Sequence, residues 1–170
     1  MIHIIETQRL LLIPTEYKHA PFIIELLNSK GWLENIGDRN VRTTEEAEKY
    51  ITKVRKELDP KTEYGQRCIY VKALDKIIGT VGIFQREGMK HPDVGFALLT
   101  EYFRQGYSYE ASLALLDRIK ELGQSKRVEA IALPNNKPST CLLEKLGLTY
   151  QNEIRLPNDS EALALYAIEF

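Results

Sequence analysis

A chain of 170 residues supplies one ordinary domain, and its 44% hydrophobic and 28% charged residues are the mixture of a globular protein, not of a disordered one. A formal net charge of −1 gives no general attraction to nucleic acid or to an anionic membrane, so any anion has to be held by a local feature. The longest apolar runs, such as RLLLIP at 9–14, are far too short to span a bilayer, and the opening MIHIIETQRL carries an acid where a secretory leader carries bases, so a cytoplasmic protein is expected.

In chain order, IIETQRLLLIP (4–14) reads as a strand closed by Pro14. EYKHAPFIIELLNSKG (16–31) has Phe22, Ile23, Leu26 and Leu27 on one helical face and is stopped by Gly31. TTEEAEKYITKVRKEL (43–58) opens with a capping threonine and glutamates, and Ala47, Tyr50, Ile51, Val54 and Leu58 recur at helical spacing. The β-branched runs 67–74 and 76–85 form a hairpin around Asp75, and 93–100 is a third strand. A helix at 107–122, with Leu115, Leu116, Ile119 and Leu122 toward the core, leads to a strand at 127–133. A short helix at 137–147 has proline in its first turn and glycine just past its last. Two strands end the chain. The strand–helix–strand unit at 93–133 requires a parallel pairing with a right-handed crossover. The fold class is therefore α/β, a single domain with a mixed, mostly antiparallel sheet and helices on both faces.

The stretch EYFRQGYSYEAS (101–112) places Gly106 at the mouth of a helix. The free N–H groups of a helix's first turn, with its dipole, make an anion site. Gly106 removes a side chain where a ligand would approach, and Arg104 adds a charge. Gly-x-x-x-x-Gly-Lys-[Ser/Thr] and Gly-x-Gly-x-x-Gly are both absent, which excludes a Walker loop and a dinucleotide fingerprint. Cys68 and Cys141 make neither a disulfide framework nor a Cys-x-x-Cys pair, and His3, His19 and His91 are scattered, so no metal is expected. Cys68 reads as core and Cys141 as helix packing.

The segment LPNNKPSTCLLEKLGL (133–148), taken with TQRLLLIP and DVGFALLTEYFRQGYSYEA, resembles the GNAT superfamily of acyl-CoA N-acyltransferases, and most closely its RimJ/RimL-like branch, which includes enzymes that acetylate ribosomal-protein N-termini. The resemblance covers nearly the whole chain and the order of its elements. It implies acetyl-CoA as cosubstrate, with the pyrophosphate on the loop Phe103-Arg104-Gln105-Gly106-Tyr107-Ser108. Phe103 stands where the general pattern has Gln or Arg, and Ser108 where it has Gly or Ala. It also implies that the strand from Gly95 to Leu99 splays from the strand at 127–133, so that pantetheine fills the gap and amides around Phe96, Ala97 and Leu98 meet the thioester. Asn136 and Ser139 would lie beside the pantetheine and sulfur.

For the chemistry, a tyrosine that many relatives use as an acid is replaced by Leu143, which makes Ser139 the candidate donor to the departing sulfur, with a helix first-turn serine capping backbone amides as the competing reading. Asp93 is the candidate base, with a solvated strand-end carboxylate as the competing reading. Glu110, in the helix's first turn, is read as a dipole partner. Trp32, Glu34 and Asp38, in a loop between the first two helices, would wall the acceptor site of a cationic amine. Tyr102 and Tyr107 would cover the adenine or simply pack. The function implied is transfer of acetyl from acetyl-CoA to a primary amine, on a small molecule or a protein N-terminus. The alternative is a non-catalytic acyl-CoA sensor. Nucleic-acid and membrane partners are not expected, and monomer and homodimer stay open.

Overall fold

The computed structural model of the protein describes residues 2–170. Its strands are β1 (Ile5–Glu6), β2 (Leu10–Pro14), β3 (Gly65–Val71), β4 (Lys76–Phe84), β5 (Asp93–Leu98), β6 (Arg127–Ala132), β7 (Thr149–Ile154) and β8 (Leu163–Glu169). They form one sheet in the order β1-β2-β3-β4-β5-β6-β8-β7, antiparallel throughout except for β5 beside β6. The helices are α1 (Ala20–Leu27), α2 (Lys30–Asn35), α3 (Thr44–Glu57), α4 (Tyr107–Leu122) and α5 (Lys137–Lys145). The parallel pair is joined through α4, as a crossover requires.

Strand alternation sorts the side chains into two cores. On one face Leu12, Ile69, Val81, Val94 and Val128 pack with Leu115 and Ile119 of α4 and Leu143 of α5. On the other, Ile23, Leu26 and Leu27 of α1 meet Trp32 of α2 and Ala47 and Ile51 of α3. Cross-strand register carries this second face along the sheet: Cys68 lies beside Thr80 and Thr80 beside Ala97, while Gln66 lies beside Gly82 and Gly82 beside Gly95.

Several elements form for the reasons the sequence gives. Thr43 and Glu46 make a reciprocal capping box at the start of α3. Asp75 turns the β3–β4 hairpin in the left-handed region, at φ 50°. Gly147, at φ 96°, ends α5. Cys68 is buried as expected, whereas Cys141 is exposed and does not pack, and Leu122 is only half-buried.

Two expectations are corrected. The strand at 4–14 is interrupted: the Thr7 N–H reaches the Leu10 carbonyl at 3.0 Å and the Leu10 N–H reaches Thr7 Oγ1 at 3.0 Å, so β1 folds back onto β2. The helix at 16–31 is shorter and is followed by a second. A 3-10 turn covers Tyr17–His19, and α1 begins at Ala20 with Pro21 in its first turn. Asn28 then ends it, its Nδ2 donating to the carbonyls of Ile24 and Val41 at 2.7 Å each. Gly31 therefore stops nothing; it lies inside α2, where a Cβ would stand 3.2 Å from the Phe103 ring.

Candidate active site

The entry to α4 is an exposed loop with two residues in the left-handed region, Arg104 at φ 61° and Gly106 at φ 81°. The first amide of α4 with an acceptor is that of Glu110, which reaches the Gly106 carbonyl at 3.0 Å. Among the described residues the amides of Tyr107, Ser108 and Tyr109 have no backbone acceptor, and no side chain caps the helix. Three free donors at the positive end of a 16-residue helix dipole make a bed for an anion. The space of the missing Gly106 side chain faces Arg9, whose Nη2 would be 3.2 Å from a Cβ there. Glycine is needed for the positive φ and for the close approach of Arg9. Tyr107 is buried in the core and so packs, with the Arg9 guanidinium 4.5 Å from its ring centroid.

Strands β5 and β6 are paired at one position, Asp93 beside Glu129, held by the Glu129 N–H donating to the Pro92 carbonyl at 2.8 Å. Beyond it no register joins them and a gap opens. The Leu99 N–H donates to the Ile78 carbonyl of β4 at 2.8 Å. Peptide groups alternate sides along a strand, so those of Asp93, Gly95 and Ala97 face β4 while those of Val94, Phe96 and Leu98 face the gap. Of the three amides expected at the thioester, Ala97 is thus turned away. Its carbonyl lies against Gly79, where a Cβ would clash with it.

At the end of β6, Asn136 caps α5, its side-chain oxygen accepting from the Ser139 N–H at 3.4 Å. The cap is therefore Asn136, not Ser139, whose hydroxyl has no hydrogen-bond partner among the described residues and is half-buried. Leu143 is buried in the α4 core, so the position of the usual acid carries packing only.

Asp93 is not a solvated strand-end carboxylate. It is fully buried, and both its oxygens accept from Arg86 Nε at 2.9 Å. Burial pushes its carboxyl up to about 6, helped by Glu129 and opposed by the Arg86 charge. Arg86 is 38% exposed and covers the acid from the solvent side. Its guanidinium carbon is 5.0 Å from the Phe84 ring centroid, and the Phe84 ring and Arg86 Nη2 lie 3.2 and 3.5 Å from where a Gly95 Cβ would stand. Gly95 thus lets an aromatic ring and a guanidinium lie flat on β5 beside the gap.

This arrangement agrees with what the sequence is similar to. The model of the acetyltransferase (GNAT) domain family matches residues 9–149. The chain belongs to the GNAT acetyltransferase family. YnaD, an uncharacterized N-acetyltransferase of Bacillus subtilis, is 26% identical over 145 residues, 85% of this chain and 81% of its own. The crystal structure of an acetyltransferase from Agrobacterium tumefaciens superposes with a TM-score of 0.82 at 20% identity, covering 100% of this chain and 96% of that one. RimL, a ribosomal L7/L12 α-N-protein acetyltransferase solved in complex with coenzyme A, superposes with a TM-score of 0.82 at 19% identity, covering 98% of each chain. The protein is accordingly an acetyl-CoA-dependent acetyltransferase of the GNAT fold.

The residues expected to wall the acceptor site of this GNAT enzyme are each engaged locally. Trp32 is 8% exposed in the second core, and its Nε1–H donates to the Gly37 carbonyl at 3.0 Å. Glu34 sits on α2 one turn after Lys30, whose Nζ is 3.8 Å from its carboxylate, and both Asp38 oxygens accept from Arg42, at 3.0 and 2.6 Å. On the face of the sheet beside the gap, Gln66, Phe84, Arg86 and Asp93 lie about the glycines Gly82 and Gly95. Arg86 and Arg9 were not singled out from the sequence. The available signal for Arg86 was a lone arginine seven residues before Asp93, across a hairpin. For Arg9 there was none, because its partners lie about 100 positions away. No group of three His, Cys, Asp or Glu side chains suited to a metal ion occurs among the described residues, and no helix there is long and apolar enough to cross a membrane.

Proposed function

We propose that the protein transfers an acetyl group directly to a primary amine, on a small molecule or a protein N-terminus. The observation that carries this reading is the parting of β5 from β6 after Asp93 and Glu129, with the free amides of α4 at the same end of the strands. Acetyl-CoA, when bound, supplies an acyl carbon activated as a thioester. Tyr107, Ser108 and Tyr109 offer backbone amides to its pyrophosphate, and Arg104 a nearby charge. The peptide groups of Phe96 and Leu98 face the gap and offer main-chain bonds to an extended chain laid beside β5 and a donor to a developing oxyanion. Asn136 fixes the first turn of α5, and the unpartnered Ser139 hydroxyl donates a hydrogen bond to the sulfur as the C–N bond forms and the C–S bond breaks.

The acceptor must arrive as the neutral amine, since an α-amine titrates near 7.7–8.0 and lysine near 10.4. Asp93 lies sealed beneath Arg86, so its carboxylate meets an amine only after Arg86 has left it. The reading therefore gives Asp93 the role of holding Arg86 at the mouth of the gap, and leaves the ammonium proton to solvent. A panel of amines incubated with acetyl-CoA, with free thiol as the readout, tests it. Turnover should rise with pH as the amine deprotonates. Binding of coenzyme A with no thiol released for any amine class would overturn the transfer reading.

A further inference from the structure

The stretch Thr7–Arg9 reaches the first turn of α4 and the loop before it, roughly a hundred residues away in sequence. The Arg9 backbone N–H donates to Glu110 Oε1 at 2.9 Å and its Nε–H to Glu110 Oε2 at 2.6 Å. Thr7 Oγ1–H donates to Glu110 Oε1 at 2.6 Å. From that anchorage Arg9 Nη1 donates to the Gln105 carbonyl at 2.9 Å, Nη2 lies against Gly106, and the guanidinium plane lies on Tyr107. One side chain thus touches three consecutive residues of the loop. It is aimed by an acid whose own amide makes the first hydrogen bond of α4.

We propose that Arg9 is a positioning residue for acyl-CoA: it holds residues 104–108 in the conformation that presents the Tyr107, Ser108 and Tyr109 amides to the pyrophosphate. The inference rests on the acyl-CoA reading above. Its physical ground is that little else holds the loop. Arg104, Gln105 and Gly106 are all exposed, two of them sit in the left-handed region, and the Gln105 carbonyl has Arg9 as its partner. A loop released from Arg9 has to be ordered by the ligand, and that ordering lowers affinity. Glu110 offsets the charge of Arg9, so its contribution is geometric. Two donors at a fixed angle, Nε to the carboxylate and Nη1 to the carbonyl, are what a guanidinium has and an ammonium lacks.

The test is coenzyme A binding by calorimetry, with thermal melting of the unliganded protein alongside, for the wild-type chain, Arg9→Ala and Arg9→Lys. Loss of charged hydrogen bonds that order the site should weaken coenzyme A roughly tenfold in both variants at temperatures well below their melting midpoints. Arg9→Lys keeps the charge and the aliphatic stem, so it remains informative should the alanine variant not fold. Wild-type affinity in Arg9→Lys would mean that charge alone suffices and would overturn the proposal. Wild-type affinity in a folded Arg9→Ala, whatever its melting temperature, would reduce Arg9 to a fold contact and overturn it too. A wild-type chain that binds no coenzyme A would overturn the acyl-CoA reading itself, and this inference with it.

Discussion

Replacing Asp93 with asparagine keeps the shape of the side chain and removes its charge. In the wild-type chain the carboxyl titrates at about 6 in place of its usual 3.8, because burial outweighs the attraction of Arg86. About two pKa units correspond to about 3 kcal/mol of preference for the protonated form in the fold. With the folded value above the unfolded one, the native chain binds more protons between about pH 4 and about pH 6. Stability contributed by this group is therefore full below about pH 4 and is lost as the pH rises through about 6. Asparagine cannot titrate, so its variant lacks that slope. Against this, Arg86 loses its partner, but at 38% exposure it hydrates, which keeps the cost nearer the ~1 kcal/mol of a surface pair than the ~3–5 kcal/mol of a broken buried one. Denaturant unfolding from about pH 4 to about pH 8 should show the stability difference between the two proteins shifting in favour of asparagine by up to about 3 kcal/mol. Parallel curves would refute the assignment of this titration to Asp93. In the same variant kcat should fall by less than the ~10²-fold expected for a lost general base. A larger fall, with coenzyme A binding intact, would make Asp93 the base.

Gly106→Val forces a branched residue into φ +81° and against Arg9, so coenzyme A binding should weaken by at least about tenfold; calorimetry showing unchanged affinity in a folded variant would sink the phosphate-bed reading. Ser139→Ala should lower kcat while leaving the melting temperature and coenzyme A affinity near wild type, since Asn136 already caps α5; full kcat would end the donor role. Glu63→Gln leaves the fully buried Arg67 without its carboxylate and should cost about 3–5 kcal/mol in denaturant unfolding, with the rate per folded molecule unchanged; a loss under about 1 kcal/mol would show that neutral acceptors at position 63 satisfy Arg67 without the opposite charge.

The elements legible in the sequence are those whose cause is local. Thr43 and Glu46 are three residues apart and cap α3 by themselves. Asp75 turns a hairpin between two β-branched runs, and Pro138 and Gly147 bracket α5. What the sequence did not yield depends on partners that only the fold brings together. The break after α1 is fixed by Asn28 reaching forward to the Val41 carbonyl. The burial of Asp93 depends on Arg86 returning across the β4–β5 connection, and without that partner a polar residue at a strand start reads as solvated. That Arg9 Nη2 would lie 3.2 Å from a Cβ at Gly106 depends on a contact between distant parts of the chain. Trp32, Glu34 and Asp38 are expected at the acceptor wall from the family resemblance and as an aromatic with two acids. The local bonds of Trp32 to the Gly37 carbonyl and of Asp38 to Arg42 are settled by the turn that follows α2.

The site's location follows from one feature of the sheet, the single parallel neighbour relation in an otherwise antiparallel order. Parallel strands end at the same edge, so the helices that follow them, α4 after β5 and α5 after β6, begin at that edge together. Both helix N-termini, with the three free amides of α4 and the Asn136-capped turn that carries Ser139, therefore lie at the edge of the sheet where the gap opens. An antiparallel β5 and β6 would have sent one of those termini to the opposite edge. The gap itself is opened by brevity of pairing. One register position, Asp93 beside Glu129, ties the strands at their entry and nothing ties them beyond. The two acids meeting at that point would repel, and each is held by its own arginine, Asp93 by Arg86 and Glu129 by Arg127 at 3.0 Å. The arginines thus offset the repulsion at the one shared rung between β5 and β6.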